Sequence, residues 1–246
     1  MTETPADKRM KAATDAWISR LKDYPGWREW TRGKISRTLR SDDEMQPVVP
    51  REDFAFSPEM DAQHAVVIQY LGLSATVDSL RSTEYYFRRY PFRGLPVPKH
   101  EHLNNICEMY FSRFYEYRSR AKNLLNAVNA ANPNSEVNVG HFIKQFDKLF
   151  DAELRERNGI NHRERFDDIA IHRVWLTQFL MISGEDRQRL IWGSKHRAEY
   201  RKASSEWARR AVNSAKSLDK ITDAIADAIL QRCDFLKLED KKQQGE

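Results

Sequence analysis

The 246-residue sequence predicts an all-α protein, an up-and-down helical bundle with extra helices at both ends. Apolar residues recur three and four positions apart over long stretches, the period of one helix face. The 9 glycines and 9 prolines fall largely between those stretches, whereas a β-sandwich or barrel needs turn residues about every ten positions. A composition of 40% hydrophobic and 31% charged residues is that of a chain with a buried core, not of a disordered one.

The elements follow in order. Ala13, Trp17 and Leu21 lie four apart and predict a helix over 6–22, stopped by Tyr24-Pro25-Gly26. A short helix is expected over 27–40. Residues 41–58 hold three prolines and no helical period, so they read as a long surface loop. Pro58 suits the first turn of a helix, and the stretch 58–89 is expected to be interrupted near Gly72. Residues 90–98 are punctuation. The next helix has the clearest stripe: Leu103, Ile106, Tyr110, Phe114, Tyr117, Ala121, Leu124 and Val128, ending before Pro133. A helix from 139 through Phe142, Phe146, Leu149 and Phe150 is expected to run on to a break at Asn158-Gly159. The stripe then resumes at Phe166, Ile169, Leu176 and Leu180 and stops at Ser183-Gly184. Two more helices, 185–216 and 218–238, complete the reading. The expected organisation is an N-terminal helical extension with its Pro-rich loop (1–57), a main bundle (58–238) and a polar tail (239–246).

The best apolar run, Phe179 to Ile182, is far too short to cross a membrane. The opening MTETPADKRMKAA offers no apolar stretch for a secretory signal. The 2 cysteines, Cys107 and Cys233, make neither a disulfide framework nor a zinc knuckle. The expectation is a cytoplasmic protein with reduced thiols and no membrane partner. A formal charge of +5 permits a polyanionic partner without requiring one.

Chemistry is sought where polar residues replace apolar ones on a core face. Counting back by turns from Arg157 gives Glu153, Phe150 and Phe146, which directs the guanidinium toward packing partners. There it needs carboxylate, phosphate or carbonyl acceptors. On a regular helix Arg157 and His162 stand about 140° apart, and a bend at Asn158-Gly159 would bring both toward one cavity. Arginine beside histidine, with an amide between, suits a phosphodiester: the arginine holds the phosphate and the histidine moves protons near neutral pH. RNA supplies its own 2′-OH nucleophile. No metal-ligand set is visible in the sequence, and no cofactor is implied.

The pattern Arg-Asn-x-x-x-His in an all-helical chain resembles the HEPN superfamily, whose motif is Arg, four to six residues, then His, with Asn, Asp or His following the arginine. The loose Arg-x4–6-His pattern occurs at Arg93/His100, Arg155/His162, Arg157/His162, Arg165/His172 and Arg189/His196; the polar neighbour singles out Arg157/His162. The resemblance implies a metal-independent endoribonuclease of a toxin–antitoxin or antiviral defence setting, acting on RNA as a homodimer with a composite cleft. By position, Arg157, Asn158 and His162 are the expected catalytic residues, with Arg155, Arg163 and Arg165 as an RNA-contacting rim. An antitoxin or defence-system protein is the further partner implied. Glu164 stands two beyond the histidine, where family members with nucleotidyltransferase antitoxins often carry a modifiable tyrosine. A second reading is a non-catalytic HEPN-like module that binds RNA, a nucleotide or a protein.

Each feature also has a plainer reading. Arg157 can pair with Glu153 one turn earlier, His162 can cap a helix, and Asn158 can open a turn with Gly159. His100 and His102 lack a third metal ligand. The rings of 110–117 read as core first and stacking surface second. The basic helix 185–216 reads as a solvated helix back or as a surface for RNA or an acidic partner.

Overall fold

The computed structural model describes residues 4–39, 54–92, 94, 96–134, 136–162 and 166–237, with the backbone alone at Asn161 and His162. The described residues form eight α-helices and no strand. These are α1 (Pro5–Leu21), α2 (Trp27–Leu39), α3 (Pro58–Arg88), α4 (Lys99–Ala131), α5 (Val139–Leu149), α6 (Asp151–His162), α7 (Ile169–Ser183) and α8 (Asp186–Arg232), followed by a 3-10 turn at Asp234–Leu236. The all-α expectation holds. No helix among the described residues is long and apolar enough to cross a membrane.

Contacts divide the chain into two compact units. The first comprises the described residues of Met1–Ile68, Ala127–Val137 and Asp223–Glu246. Thr4 caps α1, accepting from the Asp7 amide while its hydroxyl donates to Asp223 Oδ1 at 2.7 Å. Met10, Ala13, Trp17 and Leu21 form the buried stripe of α1. Gly26, at φ +77°, makes the turn into α2, where a residue with a Cβ is strained. Trp27, Phe56 and His64 cluster behind it, with His64 stacked on Trp17 at 5.5 Å.

The second unit comprises Gln69–Asn126 and Asn138–Thr222. The α4 stripe supplies its centre: Leu103, Ile106, Tyr110, Phe114, Tyr117, Ala121 and Leu124 are all buried. Trp207 of α8 meets Phe87, Tyr110, Phe111 and Phe166 at ring separations of 5.5–5.9 Å. Arg118 grips Asp147 with both ends of its fork, at 2.5 and 2.7 Å, tying α5 to α4.

Four expectations about the helices are corrected. α3 runs unbroken through Gly72, over which the end of the Arg120 side chain lies close enough that an added Cβ would require the guanidinium to shift. α8 is one helix of 47 residues, since nothing near Ser217 breaks it; the Ser217 hydroxyl returns to the Asn213 carbonyl at 3.2 Å. The break expected at Asn158-Gly159 lies instead at Phe150 (φ −115°, ψ 28°), whose N–H still reaches the Phe146 carbonyl at 3.0 Å. Gly159 stays helical, as a glycine can at a cost of about 1 kcal/mol relative to alanine. On α7 the buried residues are Ile171, Val174 and Thr177, while Ile169 and Leu176 of the expected stripe are exposed.

Burial lowers the pKa of His196, whose Nδ1 lies 3.1 Å from the Val174 carbonyl, and likewise that of His64. With folded values below the unfolded one of about 6.5, the unfolded chain takes up more protons in acid. Stability from these two neutral rings is therefore present above about pH 6.5 and lost as pH falls through the folded values. The urea midpoint is expected to drop between pH 7.5 and 5.5, and to drop less in the His64→Gln, His196→Gln double variant. Equal losses in both proteins would rule these histidines out as the cause.

Candidate functional site

The motif residues sit on α6 in the second unit. Two side chains hold that helix. Glu153, only 16% exposed, accepts from Arg210 of α8 at 3.1 Å. Arg157, one turn later, lies over the ring of Tyr115 of α4 with its guanidinium carbon 4.0 Å from the centroid. Glu153 thus has Arg210 as its partner, which differs from the plainer expectation of a Glu153–Arg157 pair.

Arg210 is itself boxed by rings, 4.8 Å from Trp207, 5.5 Å from Phe111 and 5.6 Å from Tyr110. Burial works against its charge, but Tyr110 and Glu153 offset that and its pKa is raised. Burial pushes the Tyr110 phenol up to about 12, so it stays protonated and bonded to the Ser214 hydroxyl at 2.8 Å.

Arg157 is half-buried and its Nη1 donates to Asn158 Oδ1 at 3.3 Å, while Asn158 is exposed. Arg155 is exposed and paired with Asp151 at 2.5 Å, so of the expected RNA rim it is already engaged by a carboxylate. Arg163 and Arg165 lie outside the described residues, and for His162 the helical backbone position is what the structure provides. Because α6 is unbroken to His162, helix positions 157 and 162 are separated by about 140° around its axis. The bend that would gather them is not present within the chain.

Two other histidines, His102 and His100, have partners within the fold. His102 Nε2 lies 3.0 Å from the Arg89 carbonyl and 3.3 Å from that of Tyr86, serving the end of α3. His100 Nδ1 lies 3.4 Å from Gln178 Oε1. Among the described residues no group of three or more His, Cys, Asp or Glu is placed to hold a metal ion. Cys107 and Cys233 are buried free thiols, and burial raises the pKa of each.

Sequence reasoning placed Tyr115 among rings read as core first and Arg210 among the cations of a basic helix, and missed both as neighbours of the motif helix. Tyr115 follows Phe114 and lies one position off the α4 stripe, a hint that it faces elsewhere. Arg210 looked like one cation among many on a basic helix, and no spacing marks its aromatic box. Comparison with family models, curated proteins and solved structures returns no match to this chain.

Proposed function

We propose that the protein is a metal-independent endoribonuclease of HEPN type, acting on RNA in the cytoplasm within a defence or toxin–antitoxin setting, two copies together forming the site. The observation that carries this reading is Arg157, the arginine of Arg-Asn-x-x-x-His, held half-buried over Tyr115 on the helix that also carries His162. Stacking engages the face of the guanidinium, and its in-plane N–H groups are those that grip a phosphate in bidentate fashion. The 2′-oxygen attacks phosphorus and gives up its proton, the 5′-oxygen leaves and takes one, and His162 moves these protons. Arg157 neutralises the charge that grows on the phosphoryl oxygens, and Asn158 orients it. The products are a 2′,3′-cyclic phosphate and a 5′-hydroxyl.

A second reading, a non-catalytic HEPN-like subunit that binds RNA, a nucleotide or a protein, is favoured by the unbroken course of α6 through Gly159 and by Glu153 and Glu156 beside the motif. Incubation of RNA with the protein in EDTA separates the two. The catalytic reading expects fragments ending in 2′,3′-cyclic phosphate, absent with a His162→Ala protein of equal helical signal. Uncut RNA retained on the wild-type protein would select the binding module, and cutting that survives His162→Ala would remove that residue from the mechanism.

A further inference from the structure

Helix α7 has two apolar sides and the described fold covers one. Val174 and Thr177 are buried toward α8, and a Cβ on Gly193 of α8 would lie 3.5 Å from the sulfur of Met181. The opposite side carries Ile169, Trp175, Leu176, Phe179 and Ile182, exposed by 74, 41, 41, 54 and 63%. At 100° per residue these five share a sector about 140° wide. Within it His172, Trp175 and Phe179 form a stack, with centroids 5.2 and 6.0 Å apart. A helix that is apolar all round belongs in an interior, and soluble monomers rarely leave contiguous apolar patches of more than a few hundred Å² uncovered.

We infer that a second copy of this chain docks on this face, α7 lying antiparallel on α7 across a two-fold axis. The area fits: the five side chains expose on the order of 600 Å², most of the roughly 800 Å² that each partner gives to a standard interface. Charge adds one testable pairing: Asp167 precedes α7 and Arg187 lies in the first turn of α8, both exposed, and antiparallel pairing brings the ends that carry them together, with Asp168, Glu185 and Asp186 beside them. Antiparallel helix dipoles add to the match. RNA is a poorer occupant, because the stacked rings are closer than the ~6.8 Å that an inserted base needs at 3.4 Å per step. Isoleucine and leucine also offer no ring face, and α7 carries a single arginine, Arg173.

This inference deepens the proposed function by naming where its two copies meet, and it shares with that reading the number of copies but none of the chemistry. The test is the mass of the full chain in solution at micromolar concentration. The wild type is expected to sediment as a dimer. Phe179→Glu and Ile182→Lys, each with unchanged helical signal, are expected to weaken the dimer about tenfold or more. Asp167→Arg and Arg187→Asp are each expected to weaken it, and their combination to restore it, which only a self-complementary face does. Should the charged variants misfold, Phe179→Cys provides a second reading: mild oxidation joins two copies across the axis. A monomeric wild type, a dimer indifferent to Phe179→Glu, or a monomer that floats with phosphatidylcholine vesicles would each overturn the assignment. RNA cleavage is read on the same samples, so a dimer that meets elsewhere and still cuts RNA sinks this face and not the ribonuclease.

Discussion

On the proposed ribonuclease reading, Arg157→Ala is expected to slow RNA cleavage by about two to three orders of magnitude, the usual cost of removing one preorganised group that stabilises charge in the transition state. Two features of the position support so large an effect. The guanidinium is held 4.0 Å above Tyr115, so little side-chain freedom is left to lose when phosphate binds. Its Nη1 already donates to Asn158 Oδ1 at 3.3 Å, which biases the direction in which the planar fork points. Arg157→Lys keeps the charge and loses the fork, and is expected to fall between the wild type and the alanine variant. Tyr115→Leu removes a cation–π contact worth roughly 0.5–1 kcal/mol at such a site, and is expected to cost only a few-fold in rate. Single-turnover cleavage in EDTA, with helical content checked by circular dichroism, measures all three. Full activity in Arg157→Ala would detach the motif from the chemistry.

The parts of the fold legible in the sequence are those where one helix face alone is apolar. On α4 every residue of the expected stripe from Leu103 to Val128 is buried; Cys107, Phe111 and Leu125 widen that stripe, and mostly polar residues hold the opposite face, so one orientation wins. α7 fails for the opposite reason. With Ile169, Ile171, Val174, Leu176, Phe179 and Ile182 spread around it, periodicity does not select a face, and packing against His196 and Gly193 of α8 decides. The course of α6 was illegible because the sequence Asn158-Gly159 is compatible both with a turn and with a helix. The aromatic pins at Phe146 and Phe150, packed on Tyr117 and Phe114, place the break eight residues earlier than Asn158. At the site, the motif itself was readable as residue types at a spacing. The neighbours that hold it, Tyr115 and Arg210, come from α4 and α8, and long-range partners leave no local mark.

Trp207→Ala is expected to destabilise the protein by about 3–5 kcal/mol, the range for deleting a large buried aromatic side chain. Trp207 is 4% exposed and touches four other rings, so the void left by the indole is lined on all sides and relaxes only in part. The loss includes the cation–π contact to Arg210 at 4.8 Å. That contact matters beyond its own energy, because Arg210 holds Glu153 and through it α6. For a chain of this size the melting temperature should fall by roughly 6–20 °C. Trp207→Phe, which keeps a ring in the box, is expected to lose less than half as much. Tyr85→Ala is the control: its ring is 59% exposed, and a surface substitution shifts stability within about 0.5 kcal/mol. Calorimetry of the three variants checks the ranking, and a Trp207→Ala protein that melts with the Tyr85→Ala control would show that the aromatic box is not what holds α8 against α4.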